Sequence, residues 1–227
     1  MFFTIVMELG VSRPTFYFDA HGEVNTDKTI ELARERADEL GVGKVVVASE
    51  TGLSALKVLD AFEGSEVIVV SSAAGTAVEG SVIGDLKIGI PDPEMMDGLE
   101  GRGAKVVRGT DPFWNISAHT GLVDTPKLGM KFFEVLCGGL HVCMTGVLEA
   151  TDAGHLVEGE EVVALAGSFV GLDTAIVAGA ANSVNFFDTV EVLEIICKPR
   201  RPRYAWPIDQ VDWKGDLEKY RRFTIGQ

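Results

Sequence analysis

Cationic residues are scarce in this chain. Its 227 residues hold 20 Lys and Arg against 34 Asp and Glu, a formal net charge of −14. That balance excludes a broad polyanion-binding surface, so neither nucleic acid nor an anionic membrane is expected as a partner. Cysteine is scarcer still: Cys137, Cys143 and Cys197 stand in apolar surroundings, with no CxxC and no paired spacing. This usage argues against a disulfide scaffold and a thiolate metal site, and favours core thiols in a reducing, cytoplasmic setting. The four histidines (His21, His119, His141, His155) share no ligand spacing, and no Walker A loop, HExxH or GxSxG is present. No metal is therefore expected, and no residue is singled out as catalytic. A membrane span is missing too, because the apolar region 162–187 is interrupted by Asp173 and punctuated by Gly and Asn. The N-terminus has neither a basic n-region nor a cleavage signal, so no signal peptide is expected.

What the chain does have is a run of strand–turn–helix units. The central one is Lys44-Val-Val-Val-Ala-Ser-Glu-Thr-Gly-Leu-Ser-Ala-Leu-Lys57. A β-branched run ends in small and polar residues, and an apolar-periodic segment then begins, which reads as a buried strand, a tight turn and a helix start. A helix start offers unpaired N–H groups and the positive end of the helix dipole, and so favours an anion. Ser, Thr and Gly also serve as ordinary caps at such turns, and on local grounds the two readings stand level.

Taken in order, residues 1–13 read as a leader and residues 14–200 as one αβα domain. Strands are expected at Thr15–Phe18, Lys44–Ser49, Glu66–Ser72, Ala104–Arg108, Glu161–Ala166, Thr174–Val177 and Val190–Ile196. Helices are expected from Asn25 or Thr26 to a stop at Gly41 or Gly43, from about Gly52 to Phe62, from Pro91-Asp-Pro93 to near Gly101 or Gly103, from Asp124-Thr-Pro126 to Cys137, and from Leu140 to Asp152. In the fourth helix Phe132, Phe133, Leu136 and Cys137 supply the apolar face. Gly98-Leu-Glu-Gly-Arg-Gly103 follows a helix and precedes a strand, the wrong polarity for dinucleotide binding, and reads as a helix stop. The early alternation of strand and helix points to a three-layer αβα sandwich with a mostly parallel sheet, and the short later connections to an antiparallel edge. Residues 109–125 lack periodicity. Residues 201–227 form a different kind of segment, a basic strap with aromatic anchors. Residues 198–227 carry a net +4 and the remainder −18. Such a strap suits docking onto an acidic surface, its own or a neighbouring subunit's, although a solvated tail remains the alternative.

Open αβα sheets bind ligands at the carboxyl ends of their strands. Four loops are expected on that rim: Asp19–Thr26, Ser49–Ala55, Ser71–Ala77 and Gly167–Thr174. The last supplies Gly167, Ser168, Gly171, Asp173 and Thr174. Small, polar loops gathered on one rim make a pocket. His21, just past a strand end, reads more readily as a solvated loop histidine than as a ligand.

Several blocks together resemble the C-terminal (α/β) domain of pyruvate kinases, and more closely the stand-alone, mostly archaeal proteins similar to that domain. They are Asn25-Thr26, Val45–Ala55, Gly138-Gly-Leu-His-Val-Cys143, Ala153-Gly154, Gly171-Leu-Asp-Thr-Ala175, Asn185-Phe-Phe-Asp188 and Glu194-Ile-Ile-Cys197. The resemblance covers roughly residues 14–200 and leaves the terminal strap out. It implies a three-layer αβα fold with a mixed five-stranded sheet and flavin mononucleotide (FMN) at the strand-end rim, where pyruvate kinases bind a sugar-phosphate effector. Kinase activity is not implied, since the 227 residues contain no catalytic barrel. Carried over by position, Ser49, Glu50, Thr51, Gly52, Ser54 and Ala55 form the phosphate loop, with Glu50 adding a like charge unless it points away. Asn25 and Thr26, the loop Ala74, Gly75 and Thr76, the Gly167–Thr174 loop, and Asn185 and Phe186 line the remainder. Relatives carry a His and an aromatic where this chain has Ala73-Ala-Gly-Thr76, and an Arg where it has Phe169-Val170. The implied pocket is accordingly weakened in cationic and aromatic groups. Two functions follow as expectations: a homo-oligomeric FMN or related phospho-ligand binder, with any redox chemistry supplied by the cofactor, or a non-catalytic anion-binding regulatory or assembly module.

Overall fold

The computed structural model describes residues 10–81, 84–112, 125–168, 170–201 and 218–223. The strands are β1 (Phe16–Phe18), β2 (Lys44–Ala48), β3 (Glu66–Ser72), β4 (Ala77–Ser81), β5 (Gly84–Lys87), β6 (Lys105–Gly109), β7 (Glu161–Ala166), β8 (Thr174–Gly179) and β9 (Glu191–Pro199). The helices are α1 (Thr26–Leu40), α2 (Leu53–Ala61), α3 (Pro93–Gly101), α4 (Thr125–Leu136), α5 (Gly138–Asp152) and the single turn α6 (Phe186–Thr189). Of the expected leader, residues 1–9 lie outside the described residues, as do most of the aperiodic stretch (113–124) and residues 202–217 of the strap.

One sheet of seven strands runs in the order β1-β9-β8-β7-β2-β3-β6. This corrects the five strands implied by resemblance, whereas the residue pattern marks all seven. Every neighbouring pair is parallel except those made by β8, which opposes both β7 and β9. The antiparallel strand therefore lies within the sheet, and the expected antiparallel edge is replaced by β1, parallel to β9 through Phe16↔Cys197. Strand pairing depends on contacts far apart in sequence, which local alternation does not encode.

Side chains leave a strand on alternate faces, and β2 shows the consequence. Val45 and Val47 join a core formed with Ile30, Ala33 and Ala37 of α1, Ala55 and Val58 of α2, and Leu99 of α3. Val46 faces the opposite way, into a core with Leu140, Cys143, Met144 and Val147 of α5. A strand covered on both faces needs an unbroken apolar run, which Val45–Val47 supplies. The result is the expected three-layer αβα sandwich. Helix α1 stops at Gly41, whose φ is +69°. In α5 Leu140, Cys143, Met144, Val147, Leu148 and Thr151, which recur at helical spacing, are buried, and Gly154, with φ +79°, follows its end. The expectation for α4 needs correction: Phe132 and Leu136 are exposed, and only Phe133 and Cys137 turn inward. Burial pushes the thiols of Cys137, Cys143 and Cys197 up, the last to about 12, as core thiols require.

Beyond the sheet stands an unanticipated hairpin, β4–β5, with Val78 opposite Leu86. Its exit is fastened by Glu50, whose carboxylate accepts from Ser71 Oγ (2.9 Å), Ser72 N–H (3.2 Å), Ser72 Oγ (2.8 Å) and Gly89 N–H (3.1 Å). The Glu50 carbonyl accepts from Ile90 N–H at 2.8 Å. Ile90 is held at φ +50°, a rare conformation for a β-branched residue, immediately before Pro91.

Candidate functional site

The carboxyl ends of β2 and β7 open onto a cavity of about 290 Å³. Two of the four expected loops build its polar side. Ser49, Glu50, Thr51 and Ser54 come from the β2–α2 turn, and Gly167, Ser168 and Gly171 from the β7–β8 connection. Helix α2 begins beside the cavity with Gly52 as N-cap and no side-chain cap hydrogen bond. Ser49 Oγ is the nearest substitute, accepting from Ala55 N–H at 3.4 Å. First-turn N–H groups and the dipole's positive end thus sit at the hydroxyl-rich end of the cavity, where an anion is favoured. Glu50 contributes a formal negative charge there, but its four hydrogen bonds hold the carboxylate towards the end of β3 and the hairpin exit.

The apolar lining is formed by Val78, Leu86 and Ile88 of the hairpin and its exit, Val142 of α5, and Val170. Tyr220, from the C-terminal 3-10 turn Glu218–Phe223, completes it. Val170 belongs to the expected Gly167–Thr174 loop and Tyr220 to the expected aromatic strap, whereas Val78, Leu86, Ile88 and Val142 were not placed at the site from sequence. A signal was present for the hairpin: Leu86 and Ile88 alternate with Asp85 and Lys87 after a Gly-rich turn, the pattern of a half-buried strand.

The remaining expected residues divide sharply. Thr26 and Asn25 support the rim without lining this cavity: Thr26 Oγ1 accepts from Leu172 N–H at 2.9 Å, and Asn25 Nδ2 donates to Ala20 O at 2.7 Å. Asp173 is fully buried and knots two loops together, accepting from Gly22 N–H (3.0 Å), Ser168 N–H (3.3 Å) and Thr174 Oγ1 (2.9 Å). Burial pushes its carboxyl up, against the pull of these donors. Thr174 is likewise buried, beside Cys137 Sγ at 3.3 Å. Gly52 is glycine for a reason other than ligand approach: its φ is +87°, and a Cβ would stand 2.3 Å from Met95 Cγ. Ala55 is packed in the core beneath.

Ala74 and Gly75 border a different cavity, with Lys87, Met96, Asp97 and Arg108. The hydroxyl of Thr76 turns back to Ala73 O at 2.7 Å. Asn185 and Phe186 do not join the site at all. Strand β8 runs antiparallel, so the connection after Gly179 returns to the start of β7 at Glu161, the far end of the sheet. There Asn185 Nδ2 donates to Glu158, and Phe186 packs on Phe133. Phe169 lies outside the described residues.

His21 departs from the expected solvated role. It is buried, and its Nδ1 lies 3.1 Å from Ser168 Oγ. The Gly22 turn, with φ +88°, folds it against the β7–β8 loop. His21 thereby orients a hydroxyl on the cavity wall.

Residues 27–178 match the model of the pyruvate kinase alpha/beta domain. The match begins within α1 and ends within β8, so it includes the polar rim, the hairpin and Val142. Strands β1 and β9 and the turn carrying Tyr220 lie beyond it. With two thirds of its length so matched, the chain belongs to the pyruvate kinase alpha/beta domain family.

Proposed function

We propose that the strand-end cavity binds FMN or a related phosphorylated ligand, with the phosphate at the start of α2 and the apolar body towards the hairpin. One observation carries the reading: the cavity lining combines the hydroxyls of Ser49, Thr51, Ser54 and Ser168 with the apolar side chains of Val78, Leu86, Ile88 and Val142. A phosphate ester of a flat heterocycle needs both kinds of group. The cavity lining contains no Lys or Arg among the described residues, so neutral hydroxyls, N–H groups and the helix dipole would hold the phosphate. Any electron transfer would come from the flavin, with the protein orienting it. The protein is also proposed to act as a homo-oligomer.

Fluorescence titration with FMN and with riboflavin tests this reading. FMN should bind more tightly than riboflavin, and Ser54→Ala should weaken FMN by about tenfold, the value of a hydrogen bond to a charged group. Equal binding of FMN and riboflavin would remove the phosphate from the α2 start.

A second reading has its own support. Lys87 and Arg108 border the cavity beside Ala74 and Gly75, so a non-catalytic module holding a sugar phosphate or similar anion there is the alternative. Stabilisation by ribose 5-phosphate that is lost in Arg108→Gln, without any flavin signal, would favour it.

A further inference from the structure

We propose that Tyr220, on the C-terminal turn Glu218–Phe223, is a specificity-determining wall of the strand-end cavity, selecting ligands that join a flat aromatic body to an anionic head. The inference rests on the proposed ligand site and adds to it the class of ligand and the segment that selects it.

Tyr220 and Phe223 are 6% and 4% exposed, in a segment otherwise remote from the two main cores. They form a separate cluster with Leu86, Ile88 and Val170, against which Leu53 and Val78 pack. Arg222 lies over the Phe223 ring, 4.7 Å from its centre. Two aromatics a helical-turn spacing apart thus anchor the turn, and Tyr220 reaches the cavity between the hairpin and the β7–β8 loop. Charge acts in the same direction. Residues 198–227 carry +4 and the remainder −18, so the whole-molecule field draws this segment to the body.

The consequence is chemical. Among the described residues that line the cavity, Tyr220 is the aromatic one, and the other apolar groups are aliphatic. With it, a ring inserted beside Ile88 and Val142 meets an aromatic face, which favours offset or edge-on ring contact and excludes water. A bare sugar phosphate has polar hydroxyls to place there and no ring to stack, so it gains nothing from that wall. The matched family region ends at residue 178. The wall therefore lies outside the matched region.

The test uses the full chain and its Tyr220→Ala and Tyr220→Phe variants, titrated with FMN and, by thermal shift, with inorganic phosphate. FMN should weaken about tenfold or more in Tyr220→Ala and keep its affinity in Tyr220→Phe, while the response to phosphate stays the same in all three, which also reports intact folding. FMN bound equally, or more tightly, by Tyr220→Ala would overturn the inference and leave the proposed function standing. FMN not bound by the unaltered chain would overturn the proposed function instead. The inference is then judged with anilinonaphthalene sulfonate, an aromatic anion of the same class. Its fluorescence enhancement should fall in Tyr220→Ala and persist in Tyr220→Phe, and equal enhancement overturns the inference.

Discussion

Gly52 shows how one residue type satisfies a sequence pattern and a packing constraint at once. The turn pattern marks it as a phosphate-loop glycine, yet its positive φ and the nearby Met95 side chain require glycine whether or not a ligand binds. Gly52→Ala should therefore lower stability by about 2 kcal/mol, from left-handed strain and overpacking, in chemical denaturation without ligand. Glu149 carries the second residue-scale prediction. It is buried on α5 against Gly109, with Asp111, Glu50 and Asp152 as like charges and His141 Nε2 3.4 Å from Asp111. Burial first, then these carboxylates, push its carboxyl up to about 8. Between the ordinary carboxylate range and pH 8 the unfolded chain releases this proton and the folded chain keeps it. Stability must fall with rising pH across that window and level off above it. Glu149→Gln should match the unaltered chain near pH 4.5 and exceed it by about 1–3 kcal/mol at pH 8, relative to the several kcal/mol a shift of this size implies. A parallel pH dependence in both proteins would contradict the assignment. The rim hydroxyls were legible because Ser49, Thr51 and Ser54 fall in one turn. Glu149 was not, because a lone glutamate in a helix reads as solvent-facing until Gly109 of another element is seen to cover it.

Among the elements, the hairpin β4–β5 and its exit supply much of the cavity's apolar lining through Val78, Leu86 and Ile88. It rests on few contacts and is fastened by Glu50. Glu50→Ala should destabilise the protein by about 1–2 kcal/mol, given the partial exposure of its bonds. It should also speed amide exchange in residues 77–90, while β2, β3 and β7 stay protected. Uniform loss of protection across the sheet would show that Glu50 is not a local fastener. At this scale the sequence was most readable where one element is buried by its own pattern. The apolar run of β2 and the helical spacing of α5 are cases in point. It was least readable where two elements share a job, as in the hairpin, or where an antiparallel strand carries a loop away, as β8 does for Asn185 and Phe186.

For the molecule as a whole, seven strands were individually legible and their assembly was not, since β1 meets β9 some 180 residues later in the chain. Core placement of the three thiols follows from that assembly, and burial keeps them protonated. Thiol reagents at pH 8 should react slowly with the folded protein and rapidly with all three cysteines once it is unfolded; rapid labelling of the folded chain would contradict the packing of Cys137, Cys143 and Cys197. Among the described residues no helix is long and apolar enough to cross a membrane. In the proposed function, the family's domain scaffold, with the hairpin and the C-terminal turn, presents a cavity lined by hydroxyls and apolar groups to a phosphorylated aromatic ligand. The direct measurement is the absorbance of the purified protein between about 300 and 550 nm, before and after adding FMN and removing the excess, followed by denaturation. The account predicts a flavin spectrum that stays with the folded protein and is released on unfolding. A protein that remains colourless after incubation with FMN would contradict it.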